Sequence, residues 1–372
     1  MARIGIDIRK LADYGIGVYI RNLVRGLAEA GGHQYTLFHK PGEETAGLPA
    51  GARYRVERSG LYSLREPFSL GVSARRADLE LLHCPHYVAP FWPGCPLAVT
   101  IHDLIHMLYP ENLPNRAARA YARFFLRRAA NKAAVIFAVS ETTRTDILEH
   151  LPAREEQVVV THNAVDPRLS IPPGEEELSR ARERYVLNHP YALYVGNIKP
   201  HKNLPAAVRA FARFRRAAGQ EWRLVIVGSR GVDYELRRSI EIAGVREAVR
   251  FLGFIPTNFL PAVYGLAAVF VFPSLYEGFG LPPLEAMAAG TPVVASDRSS
   301  LPEVLGDAAL LVDPSDEVAM AEAMERACAD GELRETLIRR GRERVGRFSW
   351  RRAVERTLEG YSIALGAEAA RG

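Results

Sequence analysis

The chain has 372 residues, 48% of them apolar and 24% charged, with a formal net charge of +5. This length fits two domains of ordinary size, and the composition excludes disorder, collagen and coiled coil. No apolar run approaches the ~18 residues of a membrane span, three scattered cysteines make neither a disulfide framework nor a zinc site, and the small basic excess is too weak for a dedicated nucleic-acid binder.

The N-terminus enters a strand pattern at Arg3–Ile8 without an export signal. With the cysteine usage, this leads us to expect a cytoplasmic protein. Gly15-Ile16-Gly17 follows that strand and opens a helix over Val18–Ala30. It fails the dinucleotide fingerprint, because Ile20 stands where the third glycine belongs and the second strand ends in His39-Lys40 instead of an acid. Further strands are predicted at Tyr35–His39, Arg53–Val56, Leu79–Cys84, Leu97–His102, Ala134–Val139 and Gln157–Thr161. His102 ends one of them and is a candidate for proton handling or substrate orientation. The spacings of His83, His86, His102 and His106 do not match a zinc site, and no metal is expected. A second clear helix covers Arg116–Lys132, which carries five arginines and a lysine but no acid. Arg116, Arg119, Arg123 and Arg127 share one helical face, so this segment is a candidate for docking on an anionic membrane surface. The plainer alternative packs Tyr121, Phe124, Phe125 and Leu126 on the sheet and leaves the arginines in water.

A segment rich in proline and glutamate, Asp166–Glu177, reads as a linker. The strand–helix rhythm then resumes at Tyr191–Gly196, Arg223–Gly228, Val249–Gly253, Ala268–Pro273, Pro292–Ser296 and Ala309–Val312. Short strands separated by helices imply α/β domains with parallel sheets. Two doubly wound domains are expected to face a central cleft, with ligands at the carboxyl ends of the strands. We expect domains at 1–170 and 171–351, with 352–372 returning to the first.

Two loops in the second half carry the chemistry. Gly196-Asn197-Ile198-Lys199-Pro200-His201-Lys202 holds two of only five lysines in a chain with 43 arginines. Tyr276-Glu277-Gly278-Phe279-Gly280-Leu281-Pro282-Pro283-Leu284-Glu285 follows a buried strand and leads into a helix that Pro282 or Pro283 is expected to start. Free amides at a helix N-terminus bind phosphate, and Gly278 and Gly280 let the backbone approach it closely. Glu277 in the loop and Glu285 in the first helical turn would repel phosphate unless they serve hydroxyl groups. The pattern therefore points to a sugar nucleotide diphosphate. Ser300 and Glu303 have capping-box spacing.

Those residues carry a resemblance. The chain resembles the retaining glycosyltransferases of family 4, the group 1 glycosyltransferases, over essentially its whole length. Glu277 and Glu285 match the family's E-x7-E motif, Val294-Ala-Ser-Asp297 and Ser300-Leu-Pro-Glu303 match the segment after it, and Gly15-Ile-Gly17 resembles the N-terminal glycine loop. The resemblance implies a GT-B architecture of two Rossmann-like domains, an N-terminal acceptor domain and a C-terminal donor domain. The segment from Phe348-Ser-Trp350 begins the C-terminal helices that cross back to the first domain. It also implies that Lys202 holds the donor diphosphate, Glu285 the nucleotide ribose, and Glu277 with the Gly278–Leu281 backbone the sugar and phosphates. His102 would stand near the reacting sugar, while Gly15, Gly17 and Gly196 would approach the donor. Asn197 stands where the family often has an arginine, so one phosphate contact is either missing or supplied elsewhere, with Lys199 and Arg230 as the candidates. The implied activity is retaining hexose transfer without cofactor or metal. The donor would be a nucleotide sugar, GDP-mannose first and UDP-glucose second, and the acceptor a glycan or a lipid-linked group. Same-face attack is favoured over a covalent glycosyl-enzyme intermediate. A mannosyltransferase of surface-polysaccharide assembly, cytoplasmic or peripheral on the inner membrane face, fits best. A sugar-nucleotide epimerase and a binding protein without chemistry are the alternatives.

Overall fold

The computed structural model describes every residue except 14, 61, 62, 64, 229–233 and 370–372, with backbone alone at 367–369. It divides into two units, Met1–Asn163 with Ser349–Gly372, and Ala164–Phe348. The first boundary falls ahead of the proline-rich stretch, because the turn Pro167–Ser170 packs within unit 2 on helices Leu260–Gly265 and Leu281–Ala288.

Unit 1 carries strands β1 (Arg3–Asp7), β2 (Gln34–His39), β3 (Arg53–Val56), β4 (Leu81–Cys84), β5 (Leu97–Ile101), β6 (Val135–Ala138) and β7 (Val158–Val160). They form one parallel sheet in the order β3-β2-β1-β4-β5-β6-β7. Unit 2 carries β8 (Tyr191–Val195), β9 (Arg223–Val227), β10 (Val249–Gly253), β11 (Val269–Phe272), β12 (Val293–Ser296) and β13 (Leu310–Val312). Its sheet is again parallel, in the order β10-β9-β8-β11-β12-β13. The expected class, two doubly wound parallel-sheet domains, is the one observed. Central strands such as Leu97–Ile101 and Tyr191–Val195 are buried along their whole length, because helices cover both sheet faces. Each sheet reverses its winding once, between β1 and β4 in unit 1 and between β8 and β11 in unit 2.

Helix Ile16–Ala30 turns Tyr19, Ile20, Leu23, Val24 and Leu27 inward, each worth about 1.5–3 kcal/mol for a fully buried apolar side chain. Helix Trp350–Ala369 packs beside it through Val354, Tyr361 and Ala364. A buried polar chain ties that last helix to the sheet. His83 on β4 bonds the Tyr361 hydroxyl through Nδ1 (2.7 Å) and the Thr100 hydroxyl through Nε2 (2.8 Å), and Thr100 meets Tyr19 Oη at 3.0 Å.

Burial pushes the His83 pKa down to about 3, with the neighbouring imidazoles of His102 and His86 adding to the effect. The unfolded chain therefore binds a proton here between about pH 3 and the ordinary value of 6.5 that the folded chain does not. Stability is whole above that window and falls as pH drops through it, by about 1.4 kcal/mol per pH unit for one imidazole. Urea midpoints of the wild type and of His83→Gln between pH 4.5 and 7 check this. The wild type should show the steeper fall, and equal slopes would reject it.

Candidate functional site

In unit 2 the chemistry-bearing loops flank the point where the sheet reverses, the place where open α/β sheets bind ligands. The loop after β8 carries Gly196 and the short helical turn Pro200–Lys202, and the loop after β11 carries Glu277 to Gly280. The two loops are tied together. Leu275 N–H donates to the His201 carbonyl at 2.8 Å, and Lys202 Nζ donates to Glu277 Oε1 at 2.5 Å. Both charged side chains are close to nine-tenths buried, and Lys202 Nζ also lies 5.4 Å from the centre of the Phe272 ring.

Gly280 takes a left-handed conformation, φ +93°, and ends the loop. Helix Leu281–Ala288 starts directly after it, with Pro282 in the first turn and, at its N-cap, a glycine that has no side chain to cap the amides. The helix thus begins one residue earlier than Pro282, which moves Glu285 out of the first turn into the second. There Glu285 is half-buried and its Oε2 accepts from the Tyr264 hydroxyl at 2.8 Å. Burial raises the Glu285 pKa, the Tyr264 bond opposes that shift, and the nearby Asp166 carboxylate adds to it. Phe279 is buried edge-on against Phe348, with ring centres 5.4 Å apart, so it offers a ligand its backbone and not its ring. Leu281 is half-buried.

Gly196 (φ +155°) and Gly228 (φ +146°) end neighbouring strands. A Cβ on Gly228 would lie 1.8 Å from the Gly196 carbonyl oxygen, so neither loop could start as it does with a larger residue there. Asn197 and Lys199 are exposed, and the Asn197 carbonyl accepts from the Tyr194 hydroxyl. Arg230 lies outside the described residues.

Ser300 and Glu303, whose spacing also suits a capping box, do not form one. Ser300 stands at the N-cap of helix Leu301–Leu305 without a cap bond, and its hydroxyl donates to the Glu277 carbonyl at 3.0 Å instead. Sequence reasoning missed Gly228, Tyr264 and Ser299, and it singled out Ser300 for the family segment and for cap spacing without foreseeing its bond to Glu277. Of the three missed, only Gly228 left a signal, a strand ending in glycine like the one before it.

In unit 1, His102 follows β5 and its Nε2 lies 3.1 Å from the Pro85 carbonyl. A carbonyl only accepts, so Nε2 carries the proton and Nδ1 keeps a lone pair. Burial pushes the His102 pKa down to about 4 against the pull of that carbonyl, and His86 and Lys10 lower it further. The ring is a neutral acceptor at physiological pH. Gly15 has φ +80° and precedes the helix, while a Cβ on Gly17 would lie 2.2 Å from the Leu11 carbonyl oxygen. Turn geometry and close approach thus account for both glycines within unit 1.

The four histidines weighed as a metal cluster have separate partners: Thr100 and Tyr361 for His83, Asp7 for His86, Pro85 for His102 and Tyr87 for His106. Among the described residues, Asp7, Glu66 and His86 do bring ligand atoms within 4.8 Å of one another. An internal cation already sits between the two carboxylates. The fully buried Arg9 guanidinium donates to both Asp7 oxygens (2.8 and 2.7 Å) and to Glu66 Oε1 (3.0 Å). Burial works against the Asp7 carboxylate, yet Arg9 holds it ionised far below the usual carboxylate range.

Comparison with known proteins agrees with this layout. Residues 175–344 match the family described as glycosyl transferases group 1, and residues 14–169 match glycosyltransferase family 4. The O-antigen chain mannosyltransferase B of Escherichia coli is 34% identical over 305 residues, covering 81% of this chain and 79% of that protein. The O-antigen chain mannosyltransferase RfbU of Salmonella typhimurium is 31% identical over 259 residues, covering 69% and 67%. Among solved structures, the sucrose-phosphate synthase of Thermosynechococcus elongatus shares the fold with a TM-score of 0.79 over 99% of this chain and 100% of that one, at 23% identity.

Proposed function

This chain belongs to the group 1, family 4 glycosyltransferases, and from that premise we propose that it transfers a hexose with retention from a nucleoside diphosphate sugar to a hydroxyl group. GDP-mannose is the first donor and UDP-glucose the second, and the acceptor is a glycan or lipid-linked group of polysaccharide assembly. The observation that carries the reading is the Lys202–Glu277 pair beside an uncapped helix N-terminus, with the half-buried Glu285 one turn further along.

The reaction breaks the bond between the anomeric carbon and the leaving phosphate oxygen. Negative charge grows on the diphosphate, and Lys202 with the amides from Gly278 to Leu281 stabilises it, so the charge is met without a metal. The acceptor oxygen attacks the face the leaving group departs from, and its proton passes to the leaving phosphate. Glu277 accepts from the sugar's hydroxyls and is not assigned as a covalent nucleophile. Glu285 keeps Oε1 for the ribose while Tyr264 holds Oε2. His102 Nδ1 accepts from a hydroxyl at the acceptor side. Lys202 is paired with Glu277, and the diphosphate takes the carboxylate's place as its partner.

The test is a donor screen by thermal shift, followed by turnover with EDTA present. The true donor should stabilise by about 2.7 kcal/mol at 100 times Kd. Turnover that needs an added divalent ion would refute metal-free charge handling. Chemistry on donor alone would favour an epimerase, and binding without turnover on any acceptor would favour a binding protein.

Docking on an anionic membrane belongs to the same reading. Among the described residues no helix is long and apolar enough to cross a membrane. Helix Arg116–Lys132 buries Phe125 and Leu126, and Arg128 turns inward over the Phe91 ring (4.4 Å) to cap the carbonyls of Ala89, Pro90 and Phe91. Those three side chains serve the fold. Exposed Arg116, Arg119, Arg123 and Arg127 remain, beside exposed Phe124, Trp92 and Phe68 grouped around Phe91. Each arginine near an anionic surface contributes ~1 kcal/mol. Vesicles containing anionic lipid should co-sediment the protein and neutral ones should not. Binding unchanged after Arg119, Arg123 and Arg127 become glutamine would reject the surface.

A further inference from the structure

We propose that Ser299 and Ser300 are positioning residues for the transfer reaction, fixing the backbone of Glu277 so that its carboxylate stands where the donor needs it. The inference rests on the reading of Glu277 as a donor-site acid.

Ser299 has φ +56°, one of four described non-glycine residues with positive φ. A side chain bearing Cβ enters this region only under constraint, and such residues gather at functional sites. The conformation brings Ser299 Oγ to Glu277 from both sides. It donates to the Glu277 carbonyl at 2.7 Å and accepts from the Glu277 N–H at 3.3 Å. Ser300, fully buried, donates to the same carbonyl at 3.0 Å. Two hydroxyl donors therefore fill both lone pairs of one carbonyl oxygen.

The need for such a brace follows from the loop's composition. Gly278 and Gly280 allow close approach to a ligand, but they leave the chain free to rotate on either side of Phe279. Because the peptide unit is planar, pinning the Glu277 carbonyl also fixes the plane that it shares with Gly278. The next residue continues the brace, since Leu301 Cδ2 lies 2.6 Å from where a Cβ on Gly280 would stand. The sequence around Ser300 is written for a helix cap, yet helix Leu301–Leu305 goes without one. The hydroxyl holds the loop after β11 instead.

The test compares wild type, Glu277→Gln, the pair Ser299→Gly with Ser300→Ala, and all three changes together. Glycine takes the left-handed φ without strain, and thermal melts establish that each variant is folded. The serine pair should lower kcat at least tenfold, by more than it changes the donor KM. In the Glu277→Gln background the same two changes should cost less than threefold, because a merely structural role would cost the same in both. Wild-type kcat in the serine pair beside a slow Glu277→Gln would overturn the proposal and leave the donor-site reading standing, as would equal losses in both backgrounds. Wild-type kcat in Glu277→Gln would overturn both.

Discussion

Lys202→Ala should lower turnover by roughly 10²–10³ while leaving the fold intact. The ammonium group is a fixed cation held against the Glu277 loop, 2.5 Å from Oε1. The bound donor's diphosphate is already anionic, but a further negative charge grows on the leaving oxygen as the glycosidic bond stretches, so this contact is stronger in the transition state than with bound donor. Removing one preorganised donor at such a charge typically costs this much in rate. The fold should survive, since Lys202 ends a short turn pinned by backbone bonds, including the one from Leu275 to His201. Steady-state kinetics at saturating donor with a thermal melt check both halves. Turnover within fivefold of wild type would remove Lys202 from the phosphate site.

Glu277→Gln should divide the two halves of the donor. Turnover should fall roughly 10–100-fold, the 1.5–3 kcal/mol of a charged hydrogen bond to a sugar hydroxyl. Affinity for the bare nucleoside diphosphate should hold or rise, because Lys202 no longer has an internal carboxylate competing for it. Calorimetric titration of nucleoside diphosphate into both proteins measures this directly. A variant that loses diphosphate affinity along with turnover would show that Glu277 supports the loop and not the sugar. Glu285→Gln should act chiefly on donor KM, through the ribose.

Much of this was legible in the sequence, for a physical reason. Central strands buried on both faces are continuous apolar runs, and the more exposed edge strands β3 and β10 followed from the strand–helix rhythm. The thirteen described strands were therefore visible, and the sheet order placed the Lys202 and Glu277 loops beside one another at the reversal of unit 2. Glu277 and Glu285 could be found because they lie in one short segment. What stayed hidden depends on contacts distant in sequence. Tyr264 reaches Glu285 from another helix, and Ser299 reaches Glu277 from the loop after β12. Ser300 was ambiguous, because the spacing that signals a helix cap also suits a hydroxyl turned the other way. The buried pairing of Arg9 with Asp7 and Glu66, from a strand and a helix far apart in the chain, left no local pattern in the sequence.

Unit 1 is assembled from two pieces, and the chain returns to it only at Ser349. During synthesis the ribosome therefore delivers all of Ala164–Phe348, a contiguous unit with its own sheet, before the last part of unit 1 emerges. Contiguous domains can fold as they appear, so unit 2 is free to mature while the first sheet still lacks helix Trp350–Ala369. Until Tyr361 arrives, the His83 imidazole has no phenol to complete its bonding. A released chain truncated before Ser349 should present a protease-resistant second unit and a first unit still open to cleavage.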